Sequence, residues 1–195
     1  MKKTTILNND ECEVFLFENV FDFSTENFND LKNSIPWRKD KIHIFGKEIM
    51  IPRLQAWFAD NKNLSYKYSS IKMTPEPWNS QLLKIKNITE KITGFNFNSA
   101  LINYYESGKD YAAWHSDNEK ELGINPTIAS ISLGGVRSFH LRHIKTKDTI
   151  KLELPSNSIL LMSGKTQSLY KHQLAKTAKA THPRINITFR LIIND

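Results

Sequence analysis

The spacing of apolar residues changes partway along the chain. Phe28, Leu31 and Ile35 follow Ser24-Thr25 at helical spacing and end at Pro36, which predicts a short helix. A clearer helix is predicted after Pro77, where Leu82, Ile85, Ile88 and Ile92 keep the same period and Gly94 supplies the stop. Both stripes are read as core packing and are given no function. From Ser99 onward the pattern shortens. Leu101–Tyr105, Thr127–Leu133, Ser138–Ile144, Thr149–Leu154, Ser158–Met162 and Ile185–Ile193 read as strands, punctuated by Gly134-Gly135, Pro155 and Ser163-Gly164. Many short strands after a helical start predict an α+β, mainly β fold: a double-sheet barrel or jelly roll buttressed by N-terminal helices. Such barrels carry ligand sites in their mouths.

No repeat, low-complexity tract or Gly/Ser linker interrupts residues 1–195, so one domain is expected. Hydrophobic content of 39% fits a globular chain, and no apolar run approaches the roughly 18 residues of a membrane span. The basic start gives way to Asn8-Asn9-Asp10 without the apolar core of a secretory signal. Cys12 is the sole cysteine, which excludes an internal disulfide and a cysteine-ligated zinc. An intracellular protein is expected, cytoplasmic or, in a eukaryote, nuclear.

The net charge of +7 is unevenly spread. Residues 10–30 hold seven acids and no Lys or Arg, whereas residues 137–190 hold eleven Lys or Arg against Asp148 and Glu153. A polyanionic partner suits that half, nucleic acid first; a generic lysine-rich surface is the plainer reading.

The chemistry is concentrated in a few positions. His115 and Asp117 are two residues apart, so on a strand they point to one face. His172, on a distant strand, completes a two-histidine, one-carboxylate set of the kind that leaves coordination positions open on non-haem Fe(II). Alone, the His-x-Asp pair equally describes a solvated polar turn. The strand downstream shifts the balance. Arg184, Asn186, Thr188 and Arg190 alternate with Ile185, Ile187, Phe189 and Leu191, so one face is apolar and the other carries two guanidiniums, an amide and a hydroxyl. On an outer surface this is an ordinary amphipathic strand; facing inward, it suits bidentate capture of a carboxylate. Residues six apart span roughly 20 Å, so the two arginines are expected to do separate jobs. Asn103 and Tyr105 share the same i, i+2 relation one strand earlier and offer uncharged hydrogen bonds to the same acid.

These residues resemble a known family. Asn103-Tyr104-Tyr105, Trp114-His115-Ser116-Asp117, Ser132-Leu133-Gly134, His172 and Arg184-Ile185-Asn186-Ile187-Thr188-Phe189-Arg190 are similar to the motif series of AlkB-type Fe(II)/2-oxoglutarate dioxygenases, which repair alkylated bases. Phe45-Gly46-Lys47, Pro52-Arg53, Tyr66-Lys67-Tyr68-Ser69 and Pro77-Trp78 extend the match from about Phe45 to the C-terminus; residues 1–44 carry none.

The resemblance implies a double-stranded β-helix over about 99–195, with residues 1–98 supplying supporting helices and a nucleotide-recognition lid. It implies His115, Asp117 and His172 as Fe(II) ligands, with Asn103, Tyr105, Arg184, Asn186, Thr188 and Arg190 lining the 2-oxoglutarate pocket. His43, His140, His143 and His182 have no place in that set. Tyr68 matches the position that stacks on a flipped base, opposite the His115 ring. Tyr66 and Glu119 match neighbouring base contacts, Phe45 resembles a gap-filling finger, and Arg142, with Lys145 and Lys147, suits phosphates. Core packing is the alternative for the aromatics. Asn118 stands where relatives often have aspartate, and the segment from Arg142 to Thr149 is short beside relatives that embrace a second DNA strand. The implied reaction uses O2 and 2-oxoglutarate to remove N-methyl groups of the 1-methyladenine and 3-methylcytosine kind from DNA, releasing formaldehyde, succinate and CO2. A monomer acting on DNA, with single strands preferred and RNA admitted, is expected. A 2-oxoglutarate oxygenase of RNA or protein, a silent nucleic-acid-binding module and a plain β-barrel binding protein remain the alternatives.

Overall fold

The computed structural model describes residues 1–44, 47–64, 66–68, 71–179 and 181–193, with the backbone alone at 42–44, 47–48, 66–68 and 71–73. The first half contains β1 (Lys2–Asn8), β2 (Cys12–Glu18), α1 (Thr25–Ser34), β3 (Lys41–Ile44), β4 (Lys47–Met50), β5 (Leu54–Ala59), β6 (Tyr66–Tyr68), β7 (Ile71–Met73) and α2 (Ser80–Thr93). Next come β8 (Ser99–Tyr105), β9 (Ala112–His115), β10 (Ile128–Gly134), β11 (Arg137–His143) and β12 (Thr149–Leu154). The chain closes with β13 (Ser158–Gly164), the short helix α3 (Thr166–Leu169), β14 (Tyr170–Leu174) and β15 (Arg184–Arg190).

Seven strands form the larger sheet, in the order β1-β2-β13-β10-β15-β8-β5, and four form the smaller, β12-β11-β14-β9. Neighbours in both sheets run antiparallel. Val14, Leu16, Leu101, Ile128 and Leu160 of the larger sheet join Phe139, Leu141 and Leu154 of the smaller in one apolar layer. A second layer lies behind the larger sheet, where Ile102, Ile131, Ile187 and Phe189 meet Leu31 of α1 and Leu82 and Ile85 of α2. The architecture is a double-stranded β-helix backed by helices, as the pattern predicts. No helix among the described residues is long and apolar enough to cross a membrane.

Both predicted helices form for the reasons visible in the sequence. Ser24 caps α1 in a reciprocal pair with Asn27, at 3.2 Å and 3.1 Å. Asn79 caps α2 through the Leu82 N–H at 2.8 Å, and Gly94 ends it in the left-handed region at φ 78°. The N-terminal pair β1 and β2 was not expected. Since the larger sheet is covered on both faces, β2 reads as the nearly continuous apolar run Val14-Phe15-Leu16-Phe17, without the alternation that marks a half-exposed strand. Acids bind at the sheet's margin: Glu13 of β2 accepts from Ser163 at 2.9 Å, and Glu11, just before the strand, from Lys165 at 2.8 Å. The last strand stops at Arg190, not Ile193. Asn98 bonds both backbone polar groups of Ile192 at 2.7 Å and draws the chain off the ladder.

One turn sets the start of β15. A Cβ on Gly135 would collide with the carbonyl of His182, and one on Gly134 with that of Pro183. The two glycines therefore let the chain just before Arg184 lie against the β10–β11 turn, held by Gly135 N–H donating to Pro183 O at 2.9 Å.

Candidate metal and acid-binding site

Strand pairing brings the sequence-distant ligands together. His172 on β14 lies opposite His115 on β9, and Leu141 flanks it on β11. One donor atom each from His115, Asp117 and His172 lies within 4.8 Å of the others. The His115 and His172 ring centroids are 4.3 Å apart, and Phe139 stacks on His172 at 5.4 Å.

Protonation and hydrogen bonding suit this trio to a cation. The Nδ1 of His115 is 2.7 Å from the Ala113 carbonyl, which can only accept, so that nitrogen carries the proton. Its Nε2 then faces Asp117, 3.7 Å from Oδ1. Asp117 is 1% exposed. Arg190 donates to its Oδ2 at 2.9 Å, while Oδ1 is buried with no hydrogen-bond partner among the described residues. Burial pushes this carboxyl up, but Arg190, His172 and His115 outweigh it and hold the pKa below the usual carboxylate range. Burial, reinforced by His115, pushes His172 down to about 3 against the pull of Asp117, leaving a neutral imidazole. A buried orphan carboxylate oxygen beside the His172 imidazole and the Nε2 of His115 is a donor set that fits a divalent cation.

One residue outside the predicted set supports the carboxylate. Gln167 on α3 is 1% exposed, and its Oε1 accepts from the Asp117 backbone N–H at 2.9 Å. Replacing Gln167 by Leu leaves that N–H buried without an acceptor. Such outer-shell losses cost about 10- to 100-fold in metal affinity, and a Co(II) titration read by visible absorption checks it.

A polar wall continues from the metal trio into the barrel. Arg184 is 2% exposed and donates to Ser132 Oγ at 2.8 Å. Its carbon Cζ lies 5.5 Å from the Tyr105 ring centroid, and its Nε has no partner among the described residues. Burial lowers this guanidinium to about 10, with Arg137 adding repulsion and Tyr105 opposing. It remains charged at neutral pH in a place with no acidic partner assigned to it, which is the setting for an incoming carboxylate. Asn103 points the same way. Arg53 Nε (2.7 Å) and Gln55 Nε2 (3.1 Å) both donate to its Oδ1, so its Nδ2 is the amide end left for a ligand. Asn186 spends its amide hydrogens on Ser130 Oγ and the Ile131 carbonyl, both at 2.8 Å, and its Oδ1 accepts from Thr188 at 3.2 Å. Asn103, Tyr105, Arg184, Asn186, Thr188 and Arg190 line one cavity with the metal trio. The two arginines are indeed separated: Arg190 sits on Asp117 and Arg184 at the far end beside Tyr105.

The expected substrate residues are less concentrated. Phe45 lies outside the described residues. Tyr66 and Tyr68 sit on β6, paired with β7, with their side chains outside the description. Glu119 opens a turn of 3-10 helix at Lys120–Leu122, two residues past Asp117. Arg142 lies on the outer face of the smaller sheet, 4.0 Å over the Trp114 ring, away from the cavity. The sequence names Arg53 and Ser132 only as parts of matching motifs, without a role, and does not single out Ser130. The serines had a visible signal, since they alternate with Ala129, Ile131 and Leu133 as the β15 polar residues do with their apolar neighbours.

A double-stranded β-helix holding two imidazoles, a carboxylate and a buried arginine in one cavity is the arrangement of an Fe(II)- and 2-oxoglutarate-dependent oxygenase. The profile of the 2OG-Fe(II) oxygenase superfamily matches residues 18–190. The chain belongs to that superfamily, in its AlkB-type branch, whose cofactor set is Fe(II), 2-oxoglutarate and O2. It is 37% identical over 178 residues to the Bos taurus alpha-ketoglutarate-dependent dioxygenase alkB homolog 3, covering 86% of this chain and 61% of the relative. It is 34% identical over 161 residues to the Bos taurus DNA oxidative demethylase ALKBH2, covering 78% and 58%. The Homo sapiens alkB homolog 3 is 39% identical over 154 residues, covering 74% and 53%. The chain thus spans between 53% and 61% of the length of these relatives. The solved structure of OsALKBH1 shares the fold, with a TM-score of 0.61 at 16% identity over 91% of this chain and 96% of that one.

Proposed function

We propose that this chain oxidatively removes N-methyl groups of the 1-methyladenine and 3-methylcytosine kind from nucleic acid, DNA foremost and single strands in preference to duplex. The observation that carries the reading is the single cavity in which His115, Asp117 and His172 face the acid-binding end at Arg184. Relatives named DNA oxidative demethylase support the substrate class.

When bound, the iron with 2-oxoglutarate and O2 supplies the oxidising power: 2-oxoglutarate becomes succinate and CO2, one oxygen atom entering the new carboxylate and the other the methyl carbon. The chain's own residues arrange the partners. His115, Asp117 and His172 hold the ion on one face. Arg184, with the Asn103 amide and the Tyr105 hydroxyl, grips the distal carboxylate and fixes the cosubstrate's direction. Arg190 keeps Asp117 ionised and turned. Tyr68 on β6 and the His115 ring sandwich the flipped base, Tyr66 and Glu119 contact its edge, and Phe45 fills the gap left in the stack. Hairpins β3–β4 and β6–β7 form the lid of one catalytic domain. The C–N bond of the hydroxymethylated base then breaks with its electron pair returning to the ring nitrogen, the hydroxyl proton is lost to solvent, and formaldehyde leaves. The brief 144–148 connection between β11 and β12 supports preference for single strands. The protein works inside the cell as a monomer.

The test is incubation with Fe(II), 2-oxoglutarate and O2 of four oligomers carrying 1-methyladenine: single- and double-stranded DNA, single-stranded RNA and an RNA–DNA hybrid. Mass loss of one methyl, fastest on single-stranded DNA, is expected. Faster loss from RNA assigns the RNA reading, and loss from none, with 2-oxoglutarate still consumed, assigns a different substrate.

A further inference from the structure

The smaller sheet, which carries His115 on β9 and His172 on β14, has a second face. On β14, His172 and Leu174 point into the barrel and Lys171 and Gln173 point out; on β11, Phe139 and Leu141 point in and Ser138, His140 and Arg142 point out. Lys151 is exposed on β12. Register lines these groups up across the sheet, Lys171 opposite Arg142 and Lys151 opposite His140. Neighbouring strands are about 5 Å apart, so the cations form a compact oblique row. Glu153 is the single carboxylate on the outward face of these strands.

The row is built around an ordered guanidinium. Arg142 lies 4.0 Å over the Trp114 ring, and its Nε donates to Thr149 Oγ1 at 3.2 Å. With one face on indole and one edge tied, the guanidinium is oriented before any ligand arrives. Among the described residues no carboxylate pairs with it or with Lys151 or Lys171. His140 flanks Trp114 at 6.2 Å, and its two ring nitrogens meet Ser138 and Gln173, each at 3.0 Å. Helices back the larger sheet, but this face is open.

We infer that the outer face of the smaller sheet, Lys171–Arg142–Lys151 with Trp114 beneath Arg142, is a docking strip for the sugar–phosphate backbone of single-stranded nucleic acid. The inference rests on the proposed function for the kind of polyanion. The row offers donors at successive strands to successive phosphates, and a fixed guanidinium plane is also a surface on which an unpaired base can stack. Strands β9 and β14 would then hold the metal on one side and the flanking strand on the other, so the strip tethers substrate beyond the nucleotide in the cavity.

The test uses the whole chain and an unmodified 16-nucleotide single strand, with a 5-nucleotide strand for comparison, read by fluorescence anisotropy over a salt series. In the Lys151→Gln/Lys171→Gln variant, affinity for the longer strand is expected to fall at least about tenfold. The slope of log K against log salt should fall by about 1.4, two contacts at roughly 0.7 each. Acetylation footprinting on the unaltered protein should show both lysines protected by the longer strand. Unchanged slope, or equal labelling with and without the strand, overturns the strip. Polyglutamate binding as tightly as the oligonucleotide overturns it too, in favour of an acidic protein. Demethylation with an unchanged slope leaves the demethylase reading intact and removes only the strip. Protection of both lysines without demethylation does the reverse.

Discussion

Asp117→Asn abolishes turnover while leaving the fold in place. The Asp117 carboxylate is the negative charge among the three ligands, and its pairing with Arg190 at 2.9 Å already turns Oδ1 toward the imidazoles. Asparagine keeps the shape and an acceptor for Arg190 but removes the charge that attracts the cation. Outer-shell changes alone cost about 10- to 100-fold in metal affinity, so loss of the ligand charge is expected to exceed that. Isothermal titration with Mn(II) measures it, with thermal unfolding as the check on folding. Asp117→Ala is the wrong comparison. It removes the acceptor for Arg190 as well as the charge and empties space in a buried site, so lost activity would also report damage to the fold. Wild-type metal affinity in the asparagine variant would remove Asp117 from the ligand set.

Arg184→Met has the second-largest expected effect, and it separates binding of the cosubstrate from binding of the metal. Arg184 is 2% exposed, with Ser132 Oγ as its acceptor and Arg137 adding to the repulsion that helps lower it to about 10. Replacing a poorly compensated buried cation by an apolar chain of similar length is close to neutral for stability. Its loss for an anionic ligand is not neutral. Truncating one partner of a buried charge pair costs about 2–5 kcal/mol, or roughly 30- to 3,000-fold in affinity. A ligand at 100 times its dissociation constant stabilises by about 2.7 kcal/mol, which at this chain length is a melting shift of roughly 5–10 °C. Anaerobic wild-type protein with Mn(II) should show that shift on adding 2-oxoglutarate, and the methionine variant should not. An equal shift in both would place the distal carboxylate elsewhere.

The acid-binding wall could be read in the sequence because it repeats with the period of the strand that carries it. Arg184, Asn186, Thr188 and Arg190 alternate because β15 has one face on the helix-backed core and one face in the cavity. His115 and Asp117 are close in sequence, but they do not meet by the strand alternation expected of them: β9 ends at His115 and Asp117 lies in the loop beyond it. Gln167 has no such signature. It reaches Asp117 only because α3 folds back beneath the loop after β9, a relation that exists in three dimensions alone. Strands β9 and β14 were missed for another reason. Ala112-Ala113-Trp114-His115 is short and slips in its pairing with β14, and on β14 the inward position is the polar His172, so neither sequence alternates apolar with polar residues. The charge asymmetry of residues 137–190 was legible as a number but not as a place. Register alone sorts Lys151, Lys171 and Arg142 onto one outward face, while Arg184 and Arg190 in the same stretch are buried.

The measurement that tests the account most directly is product stoichiometry on one methylated strand. Purified protein, loaded with Fe(II) without oxygen, is given 2-oxoglutarate, a single-stranded oligonucleotide containing one 1-methyladenine, and then O2. Succinate, formaldehyde and restored adenine should appear in equal amounts, and all three should vanish in Asp117→Asn. Succinate without formaldehyde or restored base would contradict demethylation while leaving an oxygenase of another substrate. Absence of all three with metal bound would contradict the oxygenase itself.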